Sequence, residues 1–148
     1  MARPQPQRGS EAAKITIASD LKLVKVVRRF VTDQCAQAGF EERKLNELAL
    51  AVSELCDNAI EHGTKDEAAQ IFVEVTFKND RVRVSVRDSG GHSRHDARLH
   101  EAVQSIEDVP EAEAIRGRGL FLVNALVDRI SLQRLPNGGT EIAIEKAK

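Results

Sequence analysis

The chain has 148 residues, with 22 Lys and Arg against 23 Asp and Glu, for a formal net charge of −1 at pH 7. That length suits one domain with a core of its own. The near-neutral balance disfavours non-specific nucleic-acid binding, and five Phe with no Tyr and no Trp leave little platform for stacking single strands.

Residues 1–10 are rich in Pro, Gln and Arg and lack the apolar stretch of a signal peptide, so residues 1–12 read as a flexible tail. Residues 14–18 alternate apolar and polar around Ile15 and Ile17, which predicts a short strand. Ser19 or Asp20 can cap a helix running to about Ala38, with Leu21, Val24, Val27 and Val31 at helical spacing and Gly39 as its stop. A second long helix is expected from about Glu41 to Gly63, with an apolar stripe of Leu45, Leu48, Ala49, Val52, Leu55, Cys56, Ala59 and Ile60. Residues 70–77 and 81–87 form the two strands of an antiparallel hairpin around Lys78-Asn79-Asp80, with Val82, Val84 and Val86 on one face. From Ser89 to about Ile115 there is no clear period. This polar stretch holds His92, His95 and His100, and its length points to a lid at about 91–115. A helix over about 119–127 and a hairpin of 129–135 with 140–145 complete the chain.

This order predicts an α+β fold, a two-layer sandwich with helices on one face of a mixed, mostly antiparallel sheet. No strand-to-helix crossover carries the GxGxxG turn of a dinucleotide fold. No apolar run approaches the length of a membrane span. Cys35 and Cys56 fall within helices without CxxC spacing and read as reduced, packed thiols of a cytosolic protein. The histidines come with neither a cysteine pair nor an HExxH and read as surface groups, not as zinc ligands.

Three features carry chemistry. Glu54 and Asn58 stack at i, i+4 on the side of the second helix opposite Val52 and Cys56. Such a pair commonly belongs to a solvated face. Here Leu50 and Ala51 share that side, and a carboxamide beside a carboxylate suits oxygen-preferring Mg²⁺ carried in with a triphosphate. Asp88 ends a valine-rich strand and runs into Ser89-Gly90-Gly91, either an ordinary turn or an acceptor at the base of a pocket. Arg116-Gly117-Arg118-Gly119-Leu120 opens a helix, whose first N–H groups can bind phosphate, or it is a solvated hinge; no Walker A loop is present.

Taken in this order, the segments resemble the GHKL ATPase superfamily with its Bergerat nucleotide fold, and within it the small stand-alone anti-sigma-factor serine/threonine kinases of bacteria. The resemblance runs from about Ile15 to Glu145. It implies one ATP-binding kinase domain over 13–148, with Glu54 as general base and Asn58 as Mg²⁺ ligand in a segment like the N-box, 54–63. Asp88-Ser89-Gly90 resembles the first glycine box, whose Asp binds the adenine amine. Gly117-Arg118-Gly119-Leu120, with Arg116 before it, resembles the second, which contacts phosphates. Gly139-Thr140 resembles the terminal motif, whose Thr supports the adenine-binding Asp. His92 departs from the pattern, standing where the first box usually has a further glycine.

The implied cofactors are ATP and Mg²⁺. The implied partners are a sigma factor, an anti-sigma-factor antagonist that accepts phosphate on Ser or Thr, and a second copy of the chain, with no direct contact to nucleic acid or membrane and a cytoplasmic location. The alternative is a catalytically weak partner-switch protein of the same fold. The phosphoacceptor helix hairpin of sensor histidine kinases is absent from the sequence.

Overall fold

The computed structural model describes residues 12–63, 66–89, 118–136 and 138–148. The expected lid at about 91–115 and the site candidates Gly90, Arg116 and Gly117 lie outside the described residues, as do residues 1–11 of the expected tail.

The described elements run β1 (Ala13–Ala18), a 3₁₀ turn (Leu21–Leu23), α1 (Val24–Gln37), α2 (Glu42–His62), β2 (Gln70–Lys78), β3 (Arg81–Asp88), α3 (Arg118–Leu126), β4 (Arg129–Arg134) and β5 (Thr140–Ala147). The five strands form one sheet in the order β1-β2-β3-β5-β4. Every pairing among these described strands is antiparallel, in keeping with the mostly antiparallel sheet expected. The α+β architecture is as expected.

Period-two alternation sorts the strands into two faces. Register places Ile15 opposite Val73, Val73 opposite Val86, Val86 opposite Ile142, and Ile142 opposite Leu132, so one face is a continuous apolar sheet. The helices pack on it, and Val27, Val31, Leu48, Val52, Leu55, Leu120 and Val123 join the same core. The other face carries Lys14, Arg83, Arg87, Glu141 and Glu145, with Arg87 resting over the Phe72 ring at 4.9 Å. The β2–β3 turn has Asn79 at φ 52° and Asp80 at φ 58°, the left-handed pair that a tight hairpin in a twisted sheet requires.

Asp20 caps only the 3₁₀ turn, by accepting from the Lys22 N–H at 2.9 Å. Leu21 therefore precedes the α-helix proper and is 52 % exposed, not part of the core stripe expected of it. The end of α1 is as expected. Gly39 at φ +91° lets the Phe40 N–H reach the Cys35 carbonyl and its own N–H reach that of Ala36, closing the helix and burying Phe40.

On α2 the apolar arc is wider than the stripe in the sequence. Ala51 is fully buried, although it projects away from Val52 and Cys56, while Ala49 is only half-buried and Leu50 is exposed. The cause is tertiary: α2 lies between α1 and α3 above β2 and β3, so three sides of it are covered. Cys35 and Cys56 are buried free thiols, and burial pushes both up to about 12, which makes them packing groups and not nucleophiles.

Candidate nucleotide site

The last turn of α2 and the last residue of β3 converge. A Cβ placed on Gly63 would stand 3.4 Å from the Asp88 Cβ and 2.2 Å from the Ala59 carbonyl oxygen. A side chain at 63 would collide with the last turn of α2 itself, while its approach to Asp88 would be ordinary van der Waals contact. Asp88 is only 7 % exposed. It pairs in register with Ile71 on one side, and one step beyond the Arg87–Glu141 pair on the other side stands Thr140, 4 % exposed. Both take part in interactions, as buried polar groups must. Ser89 continues the edge of this region, its hydroxyl accepting from the Gln70 N–H at 3.2 Å.

From Gly63, α2 leads back to the other two candidates. At 1.5 Å per residue, Asn58 and Glu54 stand roughly 7 Å and 13 Å before it along the helix axis. Both are half-buried. The Glu54 carboxyl is pushed up, first by partial burial and then by the negative charges of Asp57 and Glu61. Asp57 is pushed up as well, by burial and by Glu61, with Arg28 of α1 acting in the opposite direction. The Glu54 face is thus an acidic, partly dry strip, in which a carboxylate binds a proton more readily than it would in water.

The third expected contributor begins at α3. The backbone of Arg118 and Gly119 is helical, and the described part of this helix begins there. Leu120 is 2 % exposed and packed into the core, so what it can offer a ligand is main chain only. The described residues therefore bring Asp88 and Thr140 together at adjacent strand ends, beside the end of the helix that carries Asn58 and Glu54.

Among the described residues, no group of three His, Cys, Asp or Glu side chains is arranged to hold a metal ion. That donor set does not build a protein cage. Mg²⁺ that keeps phosphate oxygens and water as most of its ligands needs no such cage, and the Asn58 carboxamide oxygen is of the hard-donor type it takes.

Three participants escaped the sequence reading. Gly63 appeared there as a helix end and the last residue of the N-box-like segment, not as a neighbour of Asp88. Asp57 tunes Glu54, and its signal was the i, i+3 spacing. Lys146 is buried, although a lysine near the end of a chain reads as a surface group. Extending the alternation Thr140, Ile142, Ile144 by one step would have pointed it inward.

A family model for the histidine kinase-like ATPase domain matches residues 17–146. Among curated proteins, a serine-protein kinase RsbW of Bacillus cereus is 24 % identical over 127 residues, covering 82 % of this chain and 77 % of that protein. RsbW of Bacillus pumilus is 25 % identical over 141 residues, covering 90 % and 83 %. A crystal structure of RsbU and RsbW domains from Mycobacterium tuberculosis superposes with a TM-score of 0.65 at 22 % identity, covering 92 % of this chain and 31 % of the larger one. The SiaB–SiaC complex from Pseudomonas aeruginosa gives 0.64 at 15 % identity, covering 92 % and 89 %. These structures share the fold, and the match over 17–146 shows that the chain belongs to the histidine kinase-like ATPase domain family.

Proposed function

We propose that this chain is a single-domain, ATP- and Mg²⁺-dependent protein serine/threonine kinase over residues 13–148 that acts as an anti-sigma factor. Its phosphoryl acceptor is a Ser or Thr on an anti-sigma-factor antagonist. The observation that carries the reading is the convergence of buried Asp88 with the end of the helix bearing Asn58 and Glu54. The relatives named serine-protein kinase RsbW support it.

In this reading Asp88 accepts the exocyclic amine of adenine at the floor of the site, with Thr140 beside it. Asn58 offers its carboxamide oxygen to Mg²⁺, which when bound neutralises phosphate charge. The N–H groups at the start of α3 face the phosphates, and positioning with charge neutralisation is most of what phosphoryl transfer requires. Glu54 takes the proton of the acceptor hydroxyl as that oxygen bonds the γ-phosphorus and ADP leaves. Its raised proton affinity suits that task. The chain works in the cytoplasm as a homodimer and alternates between a sigma factor and the antagonist.

The test is transfer of labelled γ-phosphate from ATP to the purified antagonist, with and without Mg²⁺. Incorporation on Ser or Thr that disappears in Glu54→Ala is the expected result. Partner exchange without incorporation would replace the kinase by a non-catalytic switch of the same fold. His92, where the first glycine box usually has glycine, is the feature that favours this second reading.

A further inference from the structure

The core-facing positions of β5 are Thr140, Ile142, Ile144 and Lys146. The last of these puts an ammonium group at 8 % exposure beneath the helices. A charge there must be paired to be tolerated. Lys146 Nζ lies 2.7 Å from Oε2 of Glu47 on α2, and it donates to the carbonyl oxygen of Leu126, the last residue of α3, at 2.5 Å. The hydrogen bond that Lys146 donates to Glu47 is the main reason that the Glu47 carboxyl is held low. One side chain thus joins β5, α2 and α3.

Both attachment points bear on the site. Glu47 sits two helical turns before Glu54, on the same side of α2. Leu126 ends the helix whose described part Arg118 begins, so the carbonyl gripped by Lys146 is at the far end of the element proposed to meet the phosphates. A cation at that end is also favoured by the helix dipole. An apolar pair could fill the same volume, but it would give no directional bond to the Leu126 carbonyl, leaving the end of α3 held by packing alone.

We propose that Lys146 is a positioning residue for the nucleotide site. By holding the C-terminal carbonyl of α3 against Glu47, it fixes the spacing between the start of α3 and the Glu54–Asn58 face of α2. The proposal rests on the reading of this region as an ATP site.

The experiment compares ATP–Mg²⁺ and adenosine binding to the full chain and to Lys146→Met, with far-UV circular dichroism confirming the fold at the assay temperature. A partly relaxed α3 should weaken ATP about tenfold, the equivalent of about 1.4 kcal/mol. Adenosine, which has no phosphates, should keep its affinity. If the orphaned Glu47 prevents Lys146→Met from folding, the double variant Glu47→Met with Lys146→Met leaves no unpaired charge and should show the same split. Unchanged ATP affinity in either folded variant overturns the proposal. So does an equal loss for ATP and adenosine, which would mark Lys146 as a structural group only. Failure of the unsubstituted chain to bind any nucleotide would end both the site reading and this inference, and it is seen before any substitution is made.

Discussion

Gly63 and Asp88 are neighbours where the end of α2 meets the end of β3: a Cβ added to Gly63 would lie 3.4 Å from the Asp88 Cβ and 2.2 Å from the Ala59 carbonyl oxygen. The shorter approach is to main chain, which cannot rotate away as a side chain could. Any larger residue at 63 must distort the last turn of α2, which lies beside Asp88. Gly63→Val should cost about 1–3 kcal/mol of stability, in the range of overpacked sites. Its ATP affinity should fall as well, because the displaced turn rests on the residue proposed to read adenine. Urea unfolding and an ATP titration on the same preparation check both parts. An unaltered ATP affinity would separate the helix end from the ligand.

Asp88→Asn should weaken adenine-nucleotide binding by about 1.5–3 kcal/mol, roughly 10- to 150-fold, while the fold survives. The amide keeps the size of the carboxylate but presents one acceptor oxygen and two donors in place of two acceptors. Calorimetric titration with ATP, beside a thermal melt, gives the answer. A folded variant with unchanged affinity would remove Asp88 from the site.

Most of the architecture was legible because it is written in local periods. The hairpin around Asn79 and Asp80, the stop at Gly39 and the extent of α2 all follow from residues close in sequence. What escaped depends on distant neighbours. Ala51 lies on the side of α2 that a wheel projection leaves outside, and it is buried because the flanking helices wrap α2. Lys146 continues the inward alternation of β5, but its charge is tolerated there because Glu47, 99 positions earlier, pairs with it. Of the site, Glu54, Asn58, Asp88 and Thr140 were found as motif residues. The contact joining Gly63 to Asp88 was not, since no spacing rule links a helix stop to a strand end.

Asn58→Ala should damage Mg²⁺-dependent ATP binding more than Mg²⁺-independent binding. The carboxamide is the one neutral oxygen donor on this face of α2, and the described acidic side chains form no cage to replace it. ATP titrations with Mg²⁺ and with a chelator, on the unsubstituted chain and the variant, isolate the difference. An equal effect in both conditions would make Asn58 a binding group without a metal role.

Glu47 should make the fold acid-sensitive. Its carboxyl is held low, mainly by the hydrogen bond from Lys146, so the folded chain takes up its proton later than the unfolded chain does. The stabilisation is therefore complete above the ordinary carboxylate range and is lost as pH falls through the depressed value. Glu47→Gln should be less stable than the parent at pH 7, and the gap should close on acidification. Denaturant unfolding at stepped pH measures it; a gap that widens toward low pH would contradict the assignment.

Glu54 should show the opposite sign. Partial burial, with Asp57 and Glu61 beside it, raises its proton affinity in the folded chain above that in the unfolded one. Where the folded form binds more protons, stability falls as pH rises, so this carboxylate costs the fold stability above its raised value and nothing below its ordinary one. Glu54→Gln removes the charge and keeps the shape. At pH 7 the variant should be at least as stable as the parent, with the advantage fading on acidification. Phosphoryl transfer to the antagonist should fall about 10²–10⁴-fold, the usual worth of a general base. Side-by-side unfolding curves at pH 7 and at acid pH, with a transfer assay on the same protein, test the two consequences independently. A variant less stable at pH 7 would refute the electrostatic account, and one that transfers phosphate at the parent rate would place the base elsewhere.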